Sequence, residues 1–359
     1  MTTINAEPRF ILRVSCMTFN QAKYITDAMN GFVMQQTDFP FVCIIVDDAS
    51  TDGEQEVIRD FINENFDIHD TSIAYEKDEA YGHVTFARHK TNENCYFAVI
   101  YLKKNHYSQK KSKAPYIKEW DDTKYIALCE GDDYWTDPLK LQKQVDFLEA
   151  HPDFSLCCHR FKRYYEDTDS WSDDYVGEAF AEHPDADGLG VTNLDNFRTR
   201  FTWTLTLCYR KAIEDEIIWP PYKQGKRDFT FHYHLLKAGK GYCFADYMGV
   251  YRINSGGIWQ RLSPVEKAKF RLNCYDDLFS FHKDDQDVLI CYLEWLERFY
   301  QYFALSVFAR HKITKNGVES MFFAAKHYRK LKGPVYALKK CYQCVIVYVF
   351  PKRYEKWKK

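Results

Sequence analysis

The sequence predicts an α/β protein in which a mixed, mostly parallel sheet is followed by a helical C-terminal appendage. Apolar, strand-like runs alternate with amphipathic helical segments in the first half of the chain, whereas the last quarter has helical periodicity alone. The 359 residues are 46% hydrophobic and 28% charged. This balance is typical of a folded protein with a sizeable core.

The first half of the chain begins with a predicted β-α-β unit. The run "FILRVSCMTFN" predicts a strand, "AKYITDAMNGFVMQQ" a helix with one apolar face, and "FVCIIVDDAS" a strand buried on both sides. A second helix is expected at "STDGEQEVIRDFINENF", a short strand at "SIAYEK" and a further strand at "KYIALCEGDDYW". Residues 91–123, which include the basic "KKNHYSQKKSK", predict a loop or insertion near the site. Another helix is expected from Asp137 onward.

A domain boundary is predicted near Ser263. It separates an α/β domain at residues 10–262 from a helical region at residues 263–359, where "VLICYLEWLERFYQYFALSVFARH" has helical periodicity. The tail joins an apolar run at 345–350 to a basic, Trp-containing end at 351–359. This mixture predicts either peripheral contact with the inner face of the cell membrane or a packed terminal element with a solvated basic end.

Composition excludes several classes of protein. The net charge of −2 argues against nucleic-acid binding, and no run of about 18 apolar residues could span a membrane. Twelve cysteines without a signal-peptide pattern at residues 1–10 predict reduced, buried thiols and a cytoplasmic protein. The pair Cys341 and Cys344 forms a lone C-x-x-C, which predicts neither a zinc site nor a redox site.

The motif "EGDDYWTDP" brings two adjacent carboxylates to the end of a predicted strand. Like charges at short range raise each other's pKa unless a cation neutralises them, and a hard divalent ion prefers oxygen ligands. We therefore predict Asp133 as the ligand of Mn²⁺ or Mg²⁺, with Asp132 contacting the ion or a donor ribose. The alternative is an acidic cluster at the N-terminus of a helix.

A second acidic pair follows the strand "FVCIIV". Ligands of open parallel sheets bind beyond the carboxyl ends of the strands, where Asp47 and Asp48 can accept hydrogen bonds from a base or a ribose. The alternative is local Asx-turn chemistry alone. Neither G-x-G-x-x-G nor a P-loop occurs, so a nucleotide would be held by side chains and metal.

Four blocks resemble the family 2 glycosyltransferases: "VSCMTFNQAKYI", "IIVDDASTDG", "YIALCEGDDYWTDPLKLQKQVDFL" and "KRDFTFHYHLLKAGKGYCFADYMGVYRINSGGIW". The resemblance covers roughly residues 10–259. It implies a GT-A fold, which is a Rossmann-like nucleotide-sugar-binding domain, and an inverting reaction with a nucleotide-diphosphate sugar, most often a uridine one.

The family's functional residues transfer to matching positions in this chain. The resemblance implies that Asp48 contacts the base with help from the backbone around Thr18 and Asn20, and that Asp133 binds the metal. It also implies that Asp228 is the general base for the acceptor hydroxyl. The alternative for Asp228 is a helix N-cap, since "RDFTFHYHLL" predicts a helix start.

The chain departs from the family pattern in three places. Asn254 stands where many members have a histidine after "YR", Arg227 precedes Asp228 where an acid is common, and the Q-x-x-R-W block of processive synthases is missing. The missing block favours transfer of a single sugar. Four cations are candidates for binding a diphosphate, with ordinary surface charge as the alternative: Arg227, Arg252, Lys103 and Lys104. Three aromatic residues are candidates for stacking on a sugar ring, with core packing as the alternative: Tyr134, Trp135 and Trp259.

The sequence therefore predicts an inverting glycosyltransferase that acts on a saccharide or lipid-linked acceptor in surface polysaccharide or glycan assembly. Two alternatives remain open. A metal-dependent nucleotidyltransferase would pair the same carboxylates with an ion but release pyrophosphate. A non-catalytic sugar-nucleotide or glycan-binding protein is compatible with Asn254 and Arg227.

Overall fold

The computed structural model describes residues 8–174, 191–192, 203–225, 227–254, 256–257, 259–310 and 314–350. The chain divides into two compact units, one formed by Met1–Ile217 and His232–Asn254 and the other by Ile218–Phe231 and Ser255–Lys359. The basic end of the tail, at 351–359, lies outside the described residues.

The strands all belong to the first unit. In chain order they are β1 (Leu12–Thr18), β2 (Phe41–Asp47), β3 (Tyr75–Asp78), β4 (Gly82–Arg88), β5 (Cys95–Leu102), β6 (Tyr125–Leu128), β7 (Tyr134–Trp135), β8 (Phe154–Tyr165), β9 (Ser170–Asp173), β10 (Val191–Thr192), β11 (Cys208–Arg210) and β12 (Lys240–Ile253). Within the described residues they form one sheet in the order β10-β12-β8-β11-β6-β1-β2-β5-β4-β3, with β7 paired to β12 and β9 to β8.

The centre of this sheet is parallel. Strands β6, β1, β2 and β5 run in the same direction, whereas β4 pairs antiparallel with β5 and β11 with β6. The predicted α/β class with a mixed sheet is confirmed.

The helices, in chain order, are α1 (Ile25–Val33), α2 (Glu54–Asn65), α3 (Ala114–Ile117), α4 (Lys140–Ala150), α5 (Lys211–Glu216), α6 (Asp228–Ala238), α7 (Pro264–Phe281), α8 (Gln286–Phe299), α9 (Ser306–Ala309), α10 (Lys315–Lys332) and α11 (Pro334–Val349). A π-helical turn at Tyr300–Leu305 joins α8 to α9. The predicted helical C-terminal region is confirmed.

Both faces of β2 are buried, which explains its continuous apolar run. Phe41, Cys43 and Ile45 enter the core that contains α1, α2 and α4. Their neighbours Val42, Ile44 and Val46 enter a second core on the opposite face. Successive side chains of a strand point to opposite faces, so only a strand covered on both sides can be apolar throughout.

The predicted loop at 91–123 is wrong in part. Residues 95–102 form β5, which pairs in parallel with β2 in the middle of the sheet. The run "CYFAVIYL" carries the apolar signal of a buried strand, but the basic stretch after it dominated the interpretation. The basic stretch 103–113 contains no helix or strand.

The second unit includes residues 218–231 because they bind its helices. The hydroxyl of Tyr222 lies 3.0 Å from Nε2 of His282, and the backbone N–H of Gln224 donates to Asp277 over 2.7 Å. Helix α7 starts with a capping box in which Ser263 and Glu266 bond each other's backbone N–H groups.

The close approach of Gly82 in β4 to strand β5 can be tested by substitution. A Cβ at this position would lie 2.1 Å from the carbonyl oxygen of Tyr101 in β5. We expect Gly82→Ala to lower the free energy of unfolding by about 1–3 kcal/mol, because strand β4 must move away from β5. Chemical denaturation measures this change. The control Ala80→Ser adds one atom at an exposed site nearby, and equal losses in both variants would contradict the close packing.

Candidate active site

The carboxyl ends of the central strands define one edge of the sheet. Thr18 of β1 is in register with Asp47 of β2, and Asp47 with Tyr101 of β5. Strand β6 runs parallel to β1 on its other side. The segments that leave these strands, including the two acidic pairs, therefore start from the same edge, where open α/β sheets bind ligands.

Glu54 joins the segment after β1 to the segment after β2. Its buried carboxylate accepts hydrogen bonds from the Thr18 hydroxyl, from the backbone N–H of Gln21 at 2.9 Å and from the Ser50 hydroxyl at 2.8 Å. Burial, together with repulsion from Asp47, raises the pKa of Glu54 above its ordinary value, although these three hydrogen bonds lower it. The two segments are thereby held in one arrangement.

Asn20 adds to this connection. Its backbone N–H donates to the Ser50 hydroxyl over 2.9 Å, and its side-chain oxygen accepts from the N–H of Thr51 over 2.8 Å. The backbone of Asn20 is left-handed, with φ of 54°, a conformation that asparagine tolerates better than most residues. Asn20 thus shapes the segment that the sequence assigned to base contact.

The turn after β6 packs directly against the segment after β1. A Cβ at Gly131 would lie 2.5 Å from both the Thr18 hydroxyl and the side-chain oxygen of Gln21. The glycine of "EGDD" permits this close approach, since any side chain here would displace the Thr18 and Gln21 side chains. It brings the acidic turn to the end of β1.

Glu130, Asp132 and Asp133 form an acidic cluster in this turn. One carboxylate oxygen from each lies within 4.8 Å of the others. Asp133 is 1% exposed; its Oδ1 accepts from the backbone N–H of Arg252 at 2.8 Å. Its Oδ2 is buried and, within the described part of the chain, has no hydrogen-bond partner.

Burial raises the pKa of Asp133 well above its ordinary value, and repulsion from Asp132 and Glu130 raises it further. Burial also raises the pKa of Asp132. A divalent cation would supply the partner that the Asp133 oxygen lacks and would neutralise its neighbours, so the cluster fits a site for Mn²⁺ or Mg²⁺.

Arg252 supports the same turn from strand β12. Its guanidinium donates to the carboxylate of Asp27 at 2.7 Å and to the carbonyl oxygen of Asp132 at 3.2 Å. The group lies 4.7 Å from the ring centre of Tyr24 and 5.2 Å from that of Tyr134. Pairing of β7 with β12 brings Arg252 here. The cation predicted for a diphosphate is thus already engaged with the protein.

Asp48 holds the basic segment 103–113. Its two carboxylate oxygens accept from the backbone N–H groups of His106 at 2.7 Å and Tyr107 at 2.9 Å, and the ammonium of Lys113 lies 3.0 Å away. Burial raises the pKa of Asp48, but these three groups lower it by more, so it lies below its ordinary value. The structure therefore gives Asp48 a positioning role in addition to the predicted base contact.

Asp47 has a different environment. Its Oδ1 accepts from the N–H of Ser50 at 3.1 Å and from the side chain of Gln55. Its Oδ2 is buried and, among the residues that the structure describes, has no hydrogen-bond partner. Of the two predicted base contacts, Asp47 is the one that keeps a vacant acceptor.

The predicted stacking residues occupy contrasting positions. Trp135 is buried, donates from its indole nitrogen to the carbonyl of Leu205 over 2.8 Å and packs edge-on against Phe32. It supports the acidic turn from within the core. Trp259, in the second unit, is partly exposed and packs against Phe270.

The remaining candidates lie at the ends of elements. Asp228 is exposed at the start of α6, and Asn254 directly follows β12. Arg227, in the second unit, donates to the carbonyl of Gln224 over 2.7 Å. Lys103 donates to the carbonyl of Glu79 over 3.0 Å, and Lys104 is exposed.

Sequence reasoning missed three residues of this site. Glu130 stands inside the motif already singled out, so its proximity to the aspartates was readable. Glu54 and Asp27 gave no such signal, because their roles depend on contacts with Thr18, 36 residues away, and with Arg252, 225 residues away.

The fold is of the GT-A type. Crystal structures of S. aureus TarS 1-349 in complex with UDP-GlcNAc and with UDP resemble it with TM-scores of 0.59 and 0.55, each at 15% sequence identity. The likeness covers 96% and 97% of this chain and 91% and 92% of those chains.

The chain belongs to glycosyl transferase family 2, whose sequence model matches residues 16–217. Uncharacterized protein Rv1520 of Mycobacterium tuberculosis and Uncharacterized protein Mb1547 of Mycobacterium bovis are each 30% identical to it over 263 residues. The match covers 72% of this chain and 63% of each relative, so the chain spans less than two thirds of their length.

Asp48→Asn tests the link between β2 and the segment 103–113. An amide can accept from only one of the two N–H groups, which leaves the other unsatisfied at a cost of about 1–3 kcal/mol. We expect faster tryptic cleavage after the lysines of this segment at neutral pH.

The difference should shrink under acid. The folded-state pKa of Asp48 lies below its ordinary value of 3.8, so its contribution is complete above that value and disappears as the pH falls through the folded-state pKa. An acid-stable protease can follow this. Asp38→Asn, at an exposed site before β2, is the control. Unchanged cleavage of Asp48→Asn at neutral pH would contradict the link.

Proposed function

We propose that this protein is an inverting glycosyltransferase that moves a single sugar from a nucleotide-diphosphate sugar to a saccharide or lipid-linked acceptor. The observation that carries the proposal is a buried carboxylate oxygen of Asp133 that has no hydrogen-bond partner among the described residues. It belongs to the acidic cluster at the edge where the parallel strands end. Membership in glycosyl transferase family 2 supports the reaction class.

Asp133, together with Asp132, would hold Mn²⁺ or Mg²⁺. The ion would neutralise the negative charge that grows on the leaving diphosphate. The protein's own part is to keep the Asp133 carboxylate fixed through the Arg252 backbone and to surround it with a rigid turn. Because the Asp133 carboxylate is already held in place, it needs little rearrangement when the donor binds.

We propose a uridine nucleotide sugar as the donor. Asp47 keeps a vacant acceptor for a base or ribose donor group, and TarS, whose fold is similar, was crystallised with UDP-GlcNAc and with UDP. Asn20, Thr18 and Asn254 are the further predicted contacts. We propose assembly of a surface polysaccharide or glycan in the cytoplasm as the setting.

Asp228 is the proposed general base. Inversion by direct displacement needs a carboxylate that takes the proton of the acceptor hydroxyl on the face opposite the leaving diphosphate. Asp228 is exposed in the first turn of α6, where its carboxylate is accessible to an acceptor.

The reaction class can be tested with purified protein and a panel of nucleotide sugars. We expect release of a nucleoside diphosphate from one uridine donor with Mn²⁺ or Mg²⁺, and loss of release with a chelator, because slow hydrolysis of donor usually accompanies transfer. Release of pyrophosphate would instead indicate a nucleotidyltransferase. Donor binding without release, even with extracts of saccharide and lipid-linked acceptors, would indicate a binding protein.

Two variants separate metal binding from base catalysis. Asp133→Asn should abolish the Mn²⁺-dependent part of donor affinity measured by calorimetry, because a neutral amide is a poor ligand for a hard cation. Asp228→Asn should leave donor affinity within about twofold and reduce transfer by a hundredfold or more, in the range of roughly 10²–10⁴ typical for removal of a general base.

The control is Asp60→Asn, on the exposed face of α2, which should change neither quantity. Equal Mn²⁺-dependent affinity in the wild type and Asp133→Asn would refute the metal assignment. Full transfer by Asp228→Asn would refute the base.

A further inference from the structure

Helix α11 in the second unit carries an exposed apolar stripe. Val335, Leu338, Tyr342, Val345 and Val349 are 80%, 69%, 64%, 51% and 56% exposed. Their spacing of three and four residues places them within an arc of about 80° on a helix that turns 100° per residue. We call these five residues the outer stripe.

The inner face of α11 is anchored to the protein. Ala337, Lys340, Cys344 and Val347 are buried there. The ammonium of Lys340 lies 2.7 Å from the carboxylate of Glu297 in α8, and the Tyr300 hydroxyl donates to the Lys340 carbonyl over 2.8 Å. If α11 rotated about its axis to bury the outer stripe, the ion pair of Lys340 would break and the buried apolar residues of the inner face would become exposed. The outer stripe therefore faces solvent in the folded protein.

Helices α10 and α11, which follow each other in the chain and which we call the hairpin, are strongly basic. Residues 315–350 contain seven Lys or Arg residues and one Glu. Arg329, Lys330 and Lys332 are in the last turn of α10, directly before α11, and Lys339 is exposed beside the outer stripe. Lys330 pairs with Asp276, whereas Lys326, Arg329, Lys332 and Lys339 are exposed to solvent.

An exposed apolar stripe beside basic residues is the pattern of a helix that lies on a membrane surface. Isolated exposed apolar residues are ordinary, but a continuous stripe indicates an interaction surface. No helix in the described ranges is long and apolar enough to cross a membrane, and the 16 residues of α11 extend about 24 Å. A helix of this kind lies in the plane of a membrane surface, with its apolar side among the acyl chains and cations near anionic headgroups.

We propose that the outer stripe of α11 docks onto an anionic phospholipid surface, with the basic residues of α10 and α11 binding the headgroups. A second copy of this chain fits less well, because pairing two such hairpins would bring like charges together. The docking surface does not depend on the glycosyl transfer proposed above. If both hold, docking would bring the enzyme to the membrane that carries a lipid-linked acceptor.

The proposal is tested by flotation of the full-length protein with vesicles. Vesicles of phosphatidylcholine are compared with vesicles that also contain about one third phosphatidylglycerol. We expect binding to the anionic vesicles only. It should weaken in about 0.5 M NaCl, since salt screens the headgroup charge.

Two variants examine the two parts of the surface. Leu338→Gln/Val345→Gln should reduce binding by roughly tenfold or more, because two apolar side chains no longer enter the bilayer. Lys326→Gln/Arg329→Gln/Lys332→Gln should reduce binding by roughly a hundredfold at low salt, because three cations near the charged surface are removed. All five positions are exposed, so circular dichroism melting curves should stay unchanged.

Ile218→Gln is the matched control, since it removes a single exposed apolar residue outside the hairpin and should leave binding intact. Absence of binding by the wild type, or equal binding by the Leu338→Gln/Val345→Gln variant, would overturn the proposal. So would a dimer in light scattering that this variant dissociates while the wild type ignores vesicles, because the stripe would then join two copies of the chain.

Discussion

The hydrogen bond from the backbone N–H of Arg252 to Oδ1 of Asp133 is the interaction on which the site depends. It connects the turn after β6 to strand β12, 119 residues later in the chain. It also satisfies one oxygen of a buried carboxylate and leaves the other without a partner in the described structure. A buried charge in this state is unfavourable until a cation or a proton compensates it. A bound metal ion would compensate the buried charge of Asp133 that the fold leaves without a partner among the described residues.

The segments around Asp133 are joined to one another by specific contacts. Glu54 joins the segments after β1 and β2, Gly131 allows the acidic turn to touch the first of them, and Asp48 ties the segment after β5 to the end of β2. Each contact joins a different pair of neighbouring strand ends. Residues that bind a charged ligand lose less entropy when their supports are already in place.

In the second unit, contacts on one face of helix α11 leave its opposite face exposed. The buried Lys340 pairs with the partly exposed Glu297 and anchors the inner face of α11. The apolar residues on the far side of this helix are exposed. Composition alone pointed to the tail, the apolar run at 345–350 with the basic end at 351–359, as either a membrane contact or a packed terminal element. The structure moves attention to α11, because burial is known for each of its residues and hydropathy by itself does not separate an inner apolar face from an outer one.

The sequence by itself determined the α/β class, the helical C-terminal region, the strands β1, β2, β3 and β6 and the two acidic pairs, because strand burial and helix amphipathicity leave local patterns of period two and 3.6. It predicted no strand at β4, at β5 or at β8 to β12. At β5, the basic segment that follows the apolar run dominated the interpretation. The sequence could not reveal that Arg252 supports Asp132 and Asp133, that Glu54 joins two segments, or that Asp47 and Asp133 keep a vacant oxygen. These features arise from contacts between residues far apart in the chain, and only the tertiary structure decides which atoms meet.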